Sequence, residues 1–596
     1  MSESLPAVPV TFTEFPALTT ADWQARLARD LKGQDPAVLR WPLPGGPVLE
    51  PFYHREALDA LGGPPAPLPF PARPWLNLPA LPVPASSDGR FEIERAVTAL
   101  AHGADGVHFE LAAAPTFDTD YLAARLPLAT TFVGYTVADA PNELLARLAA
   151  TAPGVALRGF LRFTPLLGPE GGTPSQYAEA LRHCVALAQT WPDFRALAVN
   201  AAYFGNAGAT GGQQLAYGLS TAAALLATLP DAATPLAAVA GAMHWHVAVG
   251  PSYFPELAKL RALRRLWPTL LHAYGLPPAM AACLRIHAAT ATWTQTTLDP
   301  HTNLLRATTE TMSTVLGGAD SLSVGTFDSL YAAPNEFSGR LARNLSLVLR
   351  EEAHFDAVQD PAAGSYFLET LTDELARAAW ALFQQTEAAG GLPEARPLVI
   401  EAVHAAATAT FQRIAAGKQV VVGTNRFENR AEKFSFNPKR LLRSAAFDTT
   451  RATYPSEVLR LATALHFERR ERKTRQAALV LLGAGVNRHI EESFWRLLPA
   501  QERPELATSH PEGTLSFLFS SPEEATLMYA TPEQFQRFTR FLYRVPVERQ
   551  VFVPPILVSS DLATLQEALR VFGFHEMTLQ GYTTEEVLAR LQGRQS

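Results

Sequence analysis

Cysteine is nearly absent from this 596-residue chain: Cys184 and Cys283 are its only two. Two widely separated thiols make neither a disulfide framework nor a four-cysteine zinc site, and both are expected to be core thiols of a reducing compartment. Charge is sparse as well, at 18% of residues, and nearly balanced: 50 Lys and Arg against 57 Asp and Glu give a formal net charge of −7. That balance lacks the basic footprint of nucleic-acid binding, so no nucleic-acid partner is expected. No apolar run approaches the roughly 18 residues of a membrane span. AALVLLGAGV (477–486) is among the longest, and no membrane partner is expected. The opening MSESLPAVPVTFTEFP carries neither the basic start nor the apolar stretch of a secretory leader, and a cytoplasmic protein is expected. Apolar residues, by contrast, make up 47% of the chain, which suits a large core and excludes wholesale disorder.

Residues 1–72 read as a Pro-rich strap. TTADWQARLARDLKG (19–33) predicts a short amphipathic helix, capped by a Thr and ended by Gly33, before proline-dense extended stretches. The aromatic residues of this strap suit wrapping across another surface rather than a loose linker. From about 73 to 325, β-prone runs alternate with helical patterns. The runs are WLNLPAL (75–81), GVHFEL (106–111), TTFVGYTV (130–137), VALRGFLRF (155–163), ALAVNAAYF (196–204), PLAAVAGAMHWHVAVG (235–250), MAACLRIHAA (280–289) and DSLSVGTF (320–327). Eight such units over this length predict an α/β chain with a (β/α)8 TIM-type barrel, a doubly wound open sheet being the competing arrangement. Trailing helices extend this unit to 430. A polar connector (431–475) and a small α/β domain (476–596) are expected to follow.

Chemistry-bearing motifs are few. GAGVNR (483–488) follows an expected strand, but Arg488 stands where a dinucleotide fingerprint needs its third glycine, so a plain strand-to-helix turn is favoured. His244 and His246 share one face of a strand and could ligate a metal. Two histidines packed at a barrel rim are the better reading, and no metal site is expected. Lys259, Arg261, Arg264 and Arg265 lie on one helix; they could receive phosphate groups, although a solvated or interface face with Glu256 pairing to Lys259 is favoured.

Several long blocks nevertheless resemble the methylmalonyl-CoA mutase family: YFPELAKLRALRRLW (253–267), NLLRATTETMSTVLGGADSLSVGTFD (303–328), RLARNLSLVLREEAHFDAVQDPAAGSYFLETLTDELARAAWALF (340–383) and VVGTNRFEN (421–429). The likeness runs from DLKGQDPAVLRW (30–41) to about residue 430 and continues weakly into GFHEMTLQGYTTEEVLARLQ (573–592). It implies a barrel that threads an acyl-CoA thioester along its axis, capped by a flavodoxin-like domain carrying adenosylcobalamin.

The catalytic positions of that family are substituted here. A motif like RPWTIRQY survives as RPW (73–75), but Ala80 stands where its tyrosine belongs. A YHMQEAGA-like block reads AYFGNAGA (202–209), with Ala202 for the tyrosine and Tyr203 for the histidine. A block like HCQTSG reads HAATAT (287–292), with Ala289 for the glutamine. None of the fifteen histidines lies in a cobalt-ligating DxHxxG motif. The resemblance therefore implies a non-catalytic small (β) subunit with no catalytic or cofactor-binding residues of its own and a degenerate, flavodoxin-like tail. Its expected partner is a large catalytic subunit that binds adenosylcobalamin and interconverts (R)-methylmalonyl-CoA and succinyl-CoA. The alternatives are a stand-alone mutase barrel borrowing a separate cobalamin-binding chain, or a non-enzymatic acyl-CoA-binding scaffold.

Overall fold

The computed structural model describes residues 18–427 except 64, 72–73, 166–172 and 416–417, and beyond them 451–454, 457, 514–517 and 526–529. The first helix, α1 (Thr20–Asp30), has the expected cap. Thr19 accepts from the Asp22 amide at 3.1 Å, while the Asp22 carboxylate accepts from the Thr19 amide at 2.9 Å, a reciprocal box that satisfies two orphan donors. The chain turns at Gly33, whose φ of +92° a side chain would resist. β1 (Trp41–Pro42) and β2 (Val48–Leu49) form a small antiparallel pair, and α2 (Arg55–Ala60) follows. Trp23 of α1 stacks on Phe52 with ring centroids 4.6 Å apart, so the strap folds on itself as well as along the chain.

Parallel strands then recur: β3 (Leu76–Asn77), β4 (Ala80–Val83), β5 (Gly106–Leu111), β6 (Phe132–Val137), β7 (Arg158–Arg162), β8 (Phe194–Arg195), β9 (Leu197–Asn200), β10 (Met243–Val249), β11 (Ile286–Thr290) and β12 (Ser321–Ser323). Between them lie α3 (Arg90–Ala101), α4 (Thr119–Arg125), α5 (Pro141–Thr151), α6 (Ala178–Ala188), α7 (Ala201–Asn206), α8 (Gly211–Thr228), α9 (Leu236–Gly241), α10 (Tyr253–Ala273) and α11 (Thr302–Leu316). The strands form two five-stranded parallel sheets, ordered β4-β5-β6-β7-β8 and β3-β12-β11-β10-β9. β3 and β4 are one extended segment interrupted at Leu78–Pro79; Leu78 still donates to Leu322 on one side, and Pro79 accepts from His108 on the other. β8 and β9 are likewise continuous through Ala196. Pairing therefore runs round eight segments and returns to its start.

Several of the expected strands are shorter than their apolar runs: MAAC, which opens the 280–289 run, lies in a short 3-10 helix (Pro278–Cys283) ahead of β11. LAAVAG forms α9 ahead of β10, and AAYFGN forms α7 after β9. Both stretches are rich in alanine and glycine rather than β-branched residues, and Pro235 supplies the N-cap of α9. Within β5, Val107, Phe109 and Leu111 join the main apolar cluster with Ile93 and Ala96 of α3, so the alternate residues His108 and Glu110 face the other way, into the ring.

α12 (Glu336–Leu347), α13 (Tyr366–Ala388) and α14 (Gly391–Ala415) follow, with α13 packed on α8 and α10. In the tail, β13 (Thr514–Phe517) pairs antiparallel with β14 (Thr526–Tyr529). GAGVNR with Arg488 and the other elements expected of the tail lie outside the described residues, as does most of the 431–475 connector. The described piece of that connector is buried: Arg451 and Glu457 form a fully buried ion pair at 2.6 Å, and Glu457 accepts from the Thr297 amide at 2.8 Å beyond the end of β11. Among the described residues no helix is long and apolar enough to cross a membrane.

Candidate functional site

Inward-facing positions of β5, β7, β10 and β11 fill the ring with aromatic side chains. Phe160 lies at the centre of them, its ring centroid 5.1 Å from His108, 5.0 Å from His244, and 4.9 Å from both His246 and His287. The histidines also touch one another: His246 lies 4.7 Å from His244 and 4.9 Å from His287. All four are buried. Gly134 makes the room, since a side-chain carbon there would come within 2.4 Å of the Phe160 ring.

Neutral imidazoles can make all the hydrogen bonds of this plug. His244 Nε2 meets His246 Nε2 at 2.7 Å, which requires one to donate and the other to accept. Ser323 donates its hydroxyl to the Leu78 carbonyl at 2.6 Å, so at its 3.3 Å contact with His287 Nε2 the imidazole is the donor. His287 Nδ1 then accepts from Ser321 at 2.9 Å. His108 Nε2 lies 2.7 Å from Thr136 Oγ1, which also accepts from Arg162 Nε at 2.8 Å. Arg162 in turn pairs with Glu110 at 2.9 Å. Burial, reinforced by the Arg162 charge, holds His108, His244 and His246 well below the ordinary histidine range and pushes His287 down to about 3.

His244 and His246 thus sit inside the ring rather than at its rim, and among the described residues no group of three His, Cys, Asp or Glu side chains is placed to hold a metal. The basic residues of α10 correct the expectation further. Lys259, Arg261 and Arg264 are only 1–2% exposed. Lys259 does pair with Glu256, as expected, and also donates to the Ala248 carbonyl at 2.7 Å. Arg261 holds Asp360 at 2.9 Å and Glu369 at 2.7 Å, Arg264 reaches Asp320 at 3.2 Å, and Arg265 reaches Glu369 at 2.5 Å. Arg261 and Arg265 dock α10 onto α13 and its preceding loop, while Arg264 and Lys259 tie it to the strands at Asp320 and Ala248, because buried cations require fixed partners. Of the two thiols, Cys184 is buried and Cys283 is half-buried.

Ala80 opens β4, and Ala289 lies near the C-terminal end of β11, beside Ala248 of β10. Ala202 and Tyr203 lie in α7, immediately after β9. Ala202 packs with Ala248 and Ala291 beneath Trp293, while Tyr203 is 46% exposed and edges against Phe204. Close by, Glu310 of α11 is buried, accepts from Thr294 at 3.0 Å, and is pushed up to about 8 chiefly by burial. The aromatic plug escaped the sequence reading, although its signal was there: His108, His244, His246 and His287 all stand in β-prone runs, and His244 and His246 share a face.

Comparison with known proteins now adds a relationship. The family model for methylmalonyl-CoA mutase matches residues 173–457. The chain is 33% identical over 445 residues to the methylmalonyl-CoA mutase small subunit of Porphyromonas gingivalis, covering 71% of each chain. It is 34% identical over 340 residues to the small subunit from Streptomyces virginiae, covering 56% of this chain and 52% of that one. Against the large subunit of Porphyromonas gingivalis the match is 33% over 241 residues, only 40% of this chain and 34% of that one. At 33% identity over 71% of both chains, and with small subunits among its relatives, the chain belongs to the methylmalonyl-CoA mutase family and, within it, to the small subunits.

Proposed function

We propose that this chain is a non-catalytic small subunit, which supports a large catalytic subunit interconverting (R)-methylmalonyl-CoA and succinyl-CoA with adenosylcobalamin bound to that partner. The ring of strands is then a (β/α)8 barrel spanning 73–430 with its trailing helices. Residues 1–72 are its partner-wrapping strap, 431–475 a connector, and 476–596 a degenerate flavodoxin-like domain. One observation carries the reading: Phe160 and four neutral histidines occupy the axis along which a thioester would have to pass. A pantetheine chain needs a continuous channel, and a close-packed interior offers none.

The residues at the C-terminal ends of the strands do not fit adenosylcobalamin either. Ala202, Ala248 and Ala291 pack against one another and Trp293, and the alanines carry no metal ligand. Ala80, Ala289 and Tyr203 replace the groups that the family resemblance associates with catalysis. The plugged axis also weighs against an acyl-CoA-binding scaffold and a stand-alone mutase barrel. The decisive experiment is turnover of methylmalonyl-CoA by the full chain, assayed with and without the large subunit. We expect no turnover by this chain alone, and turnover by the co-purified pair. Turnover with a free cobalamin-binding chain, but no large subunit, would overturn the proposal.

A further inference from the structure

Below the plug, the N-terminal ends of the strands enclose a cavity of ≈ 20 Å³. Phe160, His244 and His287 line it, together with Arg195 at the end of β8 and Arg285 immediately before β11. Each guanidinium is held in place by one nitrogen only. Arg195 Nη1 donates to the carbonyls of Pro192 at 2.8 Å and Phe194 at 3.1 Å; Arg285 Nη1 donates to those of Ala282 at 3.1 Å and Leu284 at 3.0 Å. Arg195 Nε is buried and has no hydrogen-bond partner.

The carboxylates lining the same cavity are already engaged. Asp193 pairs with Arg158 at 3.1 Å. Asp320 pairs with Arg264 and accepts from the Ile286 amide at 2.9 Å. No carboxylate lies in salt-bridge contact with Arg195 or Arg285 among the described residues. Burial, and then the neighbouring charge of Arg285, press Arg195 below the ordinary arginine range, against the opposing pull of Asp193 and Asp320 across the cavity. Two like charges facing one cavity, with donor nitrogens left over, are a poor arrangement until an anion joins them.

We infer that this mouth of the ring is an anion-binding site, in which Arg195 and Arg285 take a phosphate-type dianion. The closed plug above admits only the phosphoryl group, so the rest of any larger ligand stays outside. The ligand is either inorganic phosphate or the phosphate of a phosphomonoester. The site does not depend on the proposed subunit role.

Calorimetric titration of the full chain near pH 7.5 with inorganic phosphate and with AMP, at ionic strength held constant by chloride, tests the inference. We expect the wild type to bind at least one of them. Arg195→Gln and Arg285→Gln should each weaken binding by about tenfold or more, and the double variant should abolish it. Tighter phosphate identifies the free anion as ligand, and tighter AMP the ester. Arg195→Lys and Arg285→Lys, which keep the charge, should retain part of the affinity and guard against misfolding. Absence of binding by the wild type, or equal binding by the double variant, would overturn the site.

Discussion

At the scale of single residues, the interior links stability to pH from both sides. A histidine that the fold keeps neutral gives no pH dependence above the ordinary value near 6.5, because it is neutral in the unfolded chain too. Below that pH the unfolded chain takes up a proton that the fold refuses, and stability falls until the native value is reached, about 3 for His287. Four such groups give a slope approaching about 5 kcal/mol per pH unit. Thermal melting is therefore expected to drop steeply below pH 6, with His244→Leu/His246→Leu roughly halving the drop. Glu310 works in the opposite sense. With its carboxyl pushed up to about 8 against an ordinary 4.5, stability falls as pH rises between those values. At pH 7 this is on the order of 3 kcal/mol. Glu310→Gln should raise the melting temperature at pH 7 and change little at pH 4.5; equal effects at both would disprove a neutral carboxyl.

At the scale of elements, α10 shows what sequence periodicity leaves undetermined. Its helical pattern was plain, and the Glu256–Lys259 pair followed from i,i+3 spacing, but the pattern cannot reveal carboxylates supplied from residues about a hundred positions away. Arg261 read as part of a solvated or interface face because its partners, Asp360 and Glu369, belong to a later loop and helix. Replacing it by Leu leaves two poorly compensated acids at a buried interface, a loss of about 3–5 kcal/mol. The measurement is the shift in urea midpoint, and a change below about 1 kcal/mol would mean that the acids are solvated. The strands were legible where β-branched and aromatic residues dominate, as in FVGYTV, and overextended where alanine runs adjoin them, as in PLAAVAGAM. The plug was half legible: alternation says which histidines share a face of one strand, but only closure of the ring brings four strands' inward residues into contact.

For the whole molecule, that closure is the property on which the site and the proposed role depend, and Phe160 is where it can be tested. Its ring touches side chains from β5, β6, β10 and β11, so it ties both five-stranded sheets to one packed centre. Phe160→Ala removes that centre while the surrounding backbone, hydrogen-bonded all round, cannot collapse to refill it. A loss of about 3–5 kcal/mol is expected. If the eight segments form a single cooperative unit, amide hydrogen exchange should then accelerate together in β5–β7 and in β9–β12, including strands that Phe160 does not touch. Two independent sheets would instead show faster exchange confined to the segments bordering the cavity. The experiment thus separates a continuous ring from two merely adjacent sheets, and only a continuous ring makes the aromatic plug an obstruction along the entire axis.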